Sequence, residues 1–181
     1  YFINKYYVPH YKSKVQESTY KTRIHQIKII KEYFIGTKIE DISVRVCEIF
    51  KTKLLNNPKY SQSYSAMIYG TFRQILDYAV TLDFVYENIS KKTKPIPKGK
   101  VNVPYWTLEE FEKVISTFCI DVFYEHMCFV MLWLYFNTGI RVGEGQALTW
   151  DKINFKDQNL TINSTIDLKS PSQYKIKNKT K

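Results

Sequence analysis

The stretch NISKKTKPIPKGKVNVP at residues 88–104 constrains the fold of this chain more than any other. Its three prolines and one glycine exclude a continuous helix and a central strand. Its five lysines favour exposure to water. This composition predicts an exposed basic linker at residues 91–104, between a domain at residues 1–90 and a second domain at residues 105–181.

Three segments before this linker show the apolar spacing of amphipathic helices. The first begins near an N-cap at Ser18 or Thr19, the second begins at Ser43, and the third runs from near Ser63 to about Leu82. Three or four helices with short connections predict a small bundle. The residues expected to face its core are Ile24, Ile27, Ile30, Phe34, Val46, Ile49, Phe50, Leu54, Met67, Ile68, Phe72, Ile75, Leu76, Ala79 and Val80.

The second domain is predicted to begin with helices. Thr107 and Glu110 have the spacing of a capping box. The apolar run MCFVMLWLYF that follows is too short to span a bilayer, so we expect a core helix that stops at Gly139. Its residues assigned to the core are Phe129, Leu132, Trp133 and Phe136.

The end of the chain changes to a strand-like pattern. A short helix is predicted over residues 141–148, and the runs KINF, LTIN, TIDL and YKIK then read as strands separated by the turn sequences DQN and SPSQ. The predicted fold class is therefore mainly α with a small antiparallel sheet (α+β): a helical bundle followed by a mixed domain.

The charge of the chain is concentrated in its first part. Residues 1–100 contain 18 Lys or Arg and 8 Asp or Glu, whereas residues 101–181 contain 9 of each. This asymmetry favours a polyanionic partner for the first domain, with nucleic acid ahead of a membrane surface. The three cysteines show no C-x-x-C spacing, which predicts reduced thiols in a cytoplasmic protein and no metal site.

Arg141 and Glu144 lie on one face of the short helix that follows the apolar run. A surface ion pair would contribute only about 0–1 kcal/mol, but a backbone anchored behind a buried helix favours a more specific role. Gly143 and Gly145 weaken this helix, which suggests that something approaches its backbone closely. An arginine held by a carboxylate is suited to binding a phosphate through two parallel hydrogen bonds.

The sequence TGIRVGE followed by ALTWDKINF strongly resembles the first catalytic box of the tyrosine recombinases (phage integrases). It is most like the box of integrases from conjugative transposons and temperate phages of Gram-positive bacteria. PYWTLEEFEKVI is similar to the opening of their catalytic domain. STYKTR, IEDIS, YSQSYSAMIYGTFRQILDYAV and YENIS resemble their core-binding domain. The resemblance covers nearly the whole chain.

The resemblance implies site-specific recombination of double-stranded DNA, which integrates or excises a mobile element through a 3′-phosphotyrosine without a cofactor. It implies that Arg141 contacts the scissile phosphate and that Glu144 orients this arginine. A lysine in a hairpin of the small sheet would act on the leaving oxygen. Lys179 matches that position, with Lys181 as the alternative.

The chain also departs from the family pattern. None of its three histidines is followed three residues later by arginine, so the H-x-x-R box is absent, and no tyrosine follows such a box. We therefore expect a fragment that binds DNA without cleaving it, from a bacterial cytoplasmic parent that self-associates on DNA. The alternatives are a non-catalytic DNA-binding protein and a type IB topoisomerase.

The predicted DNA contacts lie mainly in the basic part of the chain. Affinity from phosphate neutralisation would fall steeply with salt. The polar residues Ser61, Gln62, Ser63 and Tyr64 are candidates for reading bases. The candidate phosphate contacts are Lys21, Lys59, Arg73, Lys91, Lys92, Lys94, Lys98 and Lys100.

Overall fold

The computed structural model describes residues 1–100, 102–167 and 175–178. The chain divides into two compact units, Tyr1–Asn102 and Val103–Lys181. Within the described ranges, no helix is both long enough and apolar enough to cross a bilayer. The mainly helical fold with small antiparallel sheets confirms the predicted class.

The first unit is a bundle of four α-helices. They are α1 (Val8–Lys14), α2 (Glu17–Tyr33), α3 (Val44–Leu55) and α4 (Gln62–Thr81), with a π-helical turn at Ile3–Tyr7 and 3-10 turns at Ile39–Asp41 and Ile89–Lys92. The side chains of Ser43 and Ser61 cap α3 and α4 by accepting from the amides of Val46 and Tyr64.

The predicted start of α2 is wrong, and the structure adds helices that the sequence analysis did not predict. The N-cap of α2 is Gln16, without a side-chain cap bond, so Ser18 and Thr19 lie inside the first turn. The start of the chain, to which the sequence analysis assigned no element, forms the π-helical turn and α1. Phe2 and Tyr7 from this start are buried in the core, which explains why tertiary packing stabilises a short helix there.

The core of the first unit contains most of the residues predicted for it. Ile27, Ile30, Phe50 and Phe72 are each no more than 1% exposed, and the rest of the buried apolar cluster comprises Phe2, Tyr7, Cys47, Leu54, Ile68, Tyr69, Ile75, Leu76, Ala79 and Ile96. The predictions for Ile49 and Met67 are wrong, because these side chains are 51% and 43% exposed.

The segment predicted as an exposed linker is partly anchored on the bundle. Ser90, Thr93 and Ile96 are buried, and Ile96 belongs to the core of the first unit. The prediction of an exposed linker at residues 91–104 is therefore wrong for Thr93 and Ile96. The composition predicted exposure because prolines and lysines exclude a helix. They do not prevent about every third residue from packing inward.

The second unit begins with helices. They are α5 (Leu108–Ile115), α6 (Phe123–Thr138) and α7 (Val142–Gly145), followed by a 3-10 turn at Trp150–Lys152. The predicted capping box is present at the start of α5, where Thr107 and Glu110 each accept a backbone hydrogen bond from the other. Gly139 ends α6 in the left-handed conformation with φ +64°.

Two antiparallel hairpins complete the described part of this unit. β1 (Ile153–Asn154) pairs with β2 (Asn159–Leu160), and β3 (Ser164–Asp167) pairs with β4 (Lys175–Asn178). In the second hairpin Ser164 lies opposite Asn178. α7 packs against both α6 and β3, so it connects the apolar helix to the strands.

The prediction that α6 is a core helix is wrong in this structure. None of its residues is buried: Trp133 is 52% and Phe136 37% exposed, and Phe129 and Leu132 are half-buried. Phe136 stacks on Phe111 at 3.8 Å between ring centroids. α5 and α7 pack on α6, and they cover less of its surface than its apolar composition led us to expect.

Candidate nucleic-acid interface

Arg141 stands at the start of α7, immediately after the turn that ends α6. Its backbone is extended, with φ −71° and ψ 149°, and it serves as the N-cap residue. Because Gly139 reverses the chain two residues earlier, the position of Arg141 is fixed by the end of α6. The sequence therefore places this arginine by local turn chemistry.

Glu144 holds Arg141 at two points. Its Oε1 accepts from Nη1 of the guanidinium at 3.1 Å, and its Oε2 accepts from the backbone amide of Arg141 at 3.1 Å. The Glu144 side chain is 7% exposed, whereas that of Arg141 is 83% exposed. A guanidinium has five N–H donors, so this oriented and exposed side chain retains donors for an oxyanion.

The glycines that flank Glu144 have a structural role within the unit. A Cβ atom on Gly145 would lie 2.3 Å from Cε1 of Tyr135, and one on Gly143 would lie 2.8 Å from Oγ1 of Thr165. The close approach expected from the sequence is therefore made by α6 and β3 of the chain itself. Tyr135 also donates from its hydroxyl to the carbonyl of Val142, and burial raises the pKa of this tyrosine.

Lys179 and Lys181 lie outside the described residues. β4 ends at Asn178, so Lys179 follows directly after this strand in the sequence. The assignment of either lysine to the leaving oxygen stays a prediction.

The predicted phosphate contacts of the first unit separate into two groups. Lys91 pairs with Asp77 at 2.6 Å, Lys92 pairs with Glu87, and Lys21 pairs with Glu17 at 2.7 Å. The side chains of Lys59, Lys94, Lys98 and Lys100 are exposed, and Arg73 is half-buried. The second group is therefore better placed to meet a phosphate backbone than the lysines that form ion pairs.

Asp77 shows how this charge is balanced inside the unit. Burial by itself raises the pKa of its carboxyl group, but hydrogen bonds from Asn88 and Lys91 outweigh burial. The nearby charges of Lys91 and Arg73 act in the same direction, so the net effect is a lowered pKa. Asp77 therefore interacts with Lys91 and Arg73, two residues that the sequence analysis predicted to contact DNA.

The candidate base-reading residues at the start of α4 are partly occupied. Ser61 uses its hydroxyl as the helix cap, and Gln62 donates from Nε2 to the carbonyl of Pro97 at 3.1 Å. Tyr64 is half-buried against Tyr60, with 5.3 Å between ring centroids. Ser63 is half-buried and stays a candidate.

Sequence reasoning missed Asn88, which the structure places at the centre of a buried polar cluster. It is 6% exposed and hydrogen-bonds to Ser90, Asp77 and the carbonyl of Arg73. An asparagine that accepts from the amide two residues later forms an Asx turn, so the pattern Asn-x-Ser was a usable signal.

One cavity of the first unit, of about 670 Å³, does not suit a nucleic acid. Its lining is mainly apolar and includes Phe34, Ile39, Phe72 and Phe84. Such a lining offers few donors to phosphate oxygens. The candidate contacts with nucleic acid are therefore the exposed lysines within the first unit and, separately, Arg141 within the second.

Comparison with known proteins gives consistent results. Residues 1–55 match the family model described as phage integrase, N-terminal SAM-like domain. The chain is 28% identical over 127 residues to the ICEBs1 integrase of Bacillus subtilis (strain 168), an alignment that covers 70% of this chain and 33% of that protein. The chain thus spans about a third of the length of this curated relative.

Solved structures of the Tn1549 transposon integrase in complex with circular intermediate DNA share the fold. Two of them match with TM-scores of 0.68 and 0.69, each at 14% identity, and cover 93% and 95% of this chain. In both, the match covers 55% of the solved chain. The resemblance to integrases of Gram-positive mobile elements is confirmed.

Proposed function

Because this chain is a homologue of the integrases of Gram-positive mobile elements, we propose that it binds DNA for site-specific recombination. The longer protein would integrate or excise a mobile element through a 3′-phosphotyrosine. The first unit would act as the core-binding domain at residues 1–90, and residues 105–181 would form the opening part of the catalytic domain.

The observation that carries this proposal is the Arg141–Glu144 pair. A transferring phosphoryl group develops charge on its non-bridging oxygens, and preoriented cationic donors stabilise that charge. Arg141 is exposed to such a group, and Glu144 fixes it through two hydrogen bonds from a buried position. Glu144 thus orients Arg141, and Arg141 binds the scissile phosphate. Lys179, with Lys181 as the alternative, would donate the proton to the leaving oxygen.

Binding to double-stranded DNA supplies the first test. The affinity of the chain for a mixed-sequence duplex is measured by fluorescence anisotropy over a series of salt concentrations. We expect log K to fall linearly with log salt, with a slope of about −0.9 per neutralised phosphate. Absence of binding at low salt would overturn the proposal.

A matched pair of variants tests where DNA binds. Lys59→Gln combined with Lys100→Gln removes two of the exposed charges assigned to DNA binding and should reduce the magnitude of the slope by about 1.8. Lys31→Gln combined with Lys38→Gln removes two exposed charges elsewhere in the same unit and should leave the slope nearly unchanged. Equal effects of the two pairs would contradict the assigned interface.

A second candidate function is DNA binding without cleavage. The exposed lysines of the first unit favour it, because Lys59, Lys94, Lys98 and Lys100 could neutralise phosphates without any catalytic group. Formation of a covalent protein–DNA adduct on a nicked duplex distinguishes the two candidates, because only the recombinase forms one. Relaxation of supercoiled DNA without a defined site would indicate a type IB topoisomerase instead.

Self-association belongs to the same proposal, since recombination joins two DNA sites. We expect the longer protein to assemble on DNA in the bacterial cytoplasm, which sedimentation velocity with and without duplex would reveal. A single protein copy per bound duplex at all concentrations would contradict it.

A further inference from the structure

Residues 88–99 follow the surface of α4 from its C-terminal half back towards its start. Asn88 forms hydrogen bonds with Arg73 and Asp77. Further along, Thr93 forms one with Tyr69, and Pro97 accepts one from Gln62. These contacts occur in decreasing order along α4, so the segment runs antiparallel to the helix. From Asp77 to Gln62 the helix rises about 22 Å, at roughly 1.5 Å per residue.

Asn88 anchors the beginning of this segment. Its Nδ2 donates to the backbone carbonyl of Arg73 at 2.9 Å and to Oδ1 of Asp77 at 3.0 Å. Its Oδ1 accepts from the amide of Ser90 at 3.1 Å and from the Ser90 hydroxyl at 2.5 Å. An asparagine amide offers two donors and one oxygen with two lone pairs, so these four bonds use its full capacity.

Further contacts hold the rest of the segment. The hydroxyl groups of Tyr69 and Thr93 lie 2.5 Å apart, and Thr93 also donates to the carbonyl of Ser90 at 2.7 Å. Ile96 is 6% exposed within the core of the unit. Buried polar groups that are paired in this way define one arrangement of the backbone, because leaving any of them unpaired is unfavourable.

The anchored segment carries its lysines on the outside. Lys94 lies between buried Thr93 and buried Ile96, and Lys98 follows the Pro97 contact; both lysine side chains are exposed. A flexible tether would lose its conformational freedom when its lysines meet phosphates, and that loss weakens binding. A segment already ordered by folding avoids this loss.

We propose that Asn88 is a positioning residue for DNA binding, which fixes the segment at residues 88–98 on α4 so that Lys94 and Lys98 face a phosphate backbone together. This inference rests on the DNA binding proposed above. The segment would then be an ordered part of the DNA-binding surface and not only a linker between two domains.

The first experiment tests the anchoring without DNA. Amide hydrogen exchange is measured by mass spectrometry on the unaltered chain, on Asn88→Ala and on Asn4→Ala, an exposed asparagine of the same unit. We expect exchange of residues 88–98 to be at least about tenfold faster in Asn88→Ala and unchanged in Asn4→Ala. Unchanged exchange in Asn88→Ala would overturn the proposal.

The second experiment measures the salt slope for a mixed-sequence duplex. Lys94→Gln combined with Lys98→Gln should reduce the magnitude of the slope by about 1.8, which is 0.9 for each phosphate contact. Asn88→Ala removes no charge, yet it should reduce the slope in the same direction. It should have little further effect when the two lysines are already replaced. A purely structural asparagine would leave the slope unchanged.

The outcomes separate this inference from the proposed function. Failure of the unaltered chain to bind DNA would overturn the proposed function, and with it the positioning role, whatever the exchange result. DNA binding with an unchanged slope in Asn88→Ala would overturn only this inference. Should Asn88→Ala fail to fold, Tyr69→Phe removes only the hydroxyl that contacts Thr93. It should accelerate exchange around Thr93 and reduce the slope to a smaller extent. Unchanged exchange and slope in Tyr69→Phe would then overturn the inference.

Discussion

The two carboxylate oxygens of Glu144 bind the guanidinium and the backbone amide of Arg141, each at 3.1 Å. One buried side chain thereby fixes both the main chain and the side chain of an exposed arginine. Replacing Arg141 removes the group that would contact DNA, whereas replacing Glu144 would leave the arginine present but unoriented.

Arg141→Ala in the longer protein is expected to abolish strand cleavage and to leave DNA affinity within a few-fold. Loss of a preoriented donor to a developing oxyanion reduces rates by about 100-fold to 1000-fold, whereas one phosphate contact among many contributes little to binding. Covalent adduct formation on a nicked duplex measures the first effect, and anisotropy measures the second. Arg141→Lys keeps the charge but loses the planar fork, so it should bind DNA like the unaltered protein and still cleave more slowly. Unimpaired adduct formation by Arg141→Ala would refute its assigned role.

Gly145→Ala is expected to lower the free energy of unfolding of the second unit by about 1–3 kcal/mol. The added methyl group would overlap the ring of Tyr135, and overpacking of this kind is unfavourable. All three tryptophans, Trp106, Trp133 and Trp150, lie in the second unit, so their fluorescence in urea reports its unfolding.

Gly70→Ala provides the matched control. Gly70 lies inside α4, and a Cβ atom there would meet nothing within 4 Å. Alanine is the better helix former by about 1 kcal/mol, so this variant should stabilise the first unit, as measured by thermal unfolding followed by circular dichroism. Equal destabilisation by both substitutions would show that the contact with Tyr135 is not the cause.

Asp77→Asn should make the stability of the first unit less dependent on pH in the acid range. The pKa of Asp77 is lowered in the folded state, so its charged form stabilises the fold at pH values above its ordinary pKa of 3.8. That contribution is lost as the pH falls through the lower folded-state pKa. The advantage of the unaltered chain over Asp77→Asn should therefore shrink below pH 3.8, as measured by chemical unfolding at several pH values. A constant difference would contradict the prediction.

Tyr7→Phe is expected to raise the free energy of unfolding by about 1 kcal/mol at neutral pH. The hydroxyl of Tyr7 is buried and has no hydrogen-bond partner among the described residues, so removing it relieves an unfavourable burial. Burial raises the pKa of Tyr7 to about 12 from its ordinary 10.0.

Alkaline conditions provide an independent check on Tyr7. Because the pKa of Tyr7 is raised in the folded state, the unfolded chain ionises first as the pH rises above 10.0. The unaltered chain therefore loses stability between pH 10.0 and about pH 12. The advantage of Tyr7→Phe should grow over this range. Tyr11→Phe, which removes a hydroxyl that accepts from Arg23, should instead destabilise the chain at neutral pH.

The sequence by itself determined the features that depend on neighbouring residues. The capping box of Thr107 and Glu110, the left-handed Gly139 and the helical spacing in α2 to α4 are local, since each depends on residues within a few positions. The pairing of Arg141 with Glu144 is local too, because side chains three positions apart on a helix lie on the same face.

Only the tertiary structure decided how these elements bury their surfaces. Composition could not show that Ile96 enters the core, that residues 3–14 form helices, or that α6 keeps Trp133 half exposed. Nor could it show that Tyr135 and Thr165 occupy the space beside Gly145 and Gly143. Each of these outcomes depends on contacts between different secondary-structure elements. Their free energy comes from packing, which local patterns do not encode.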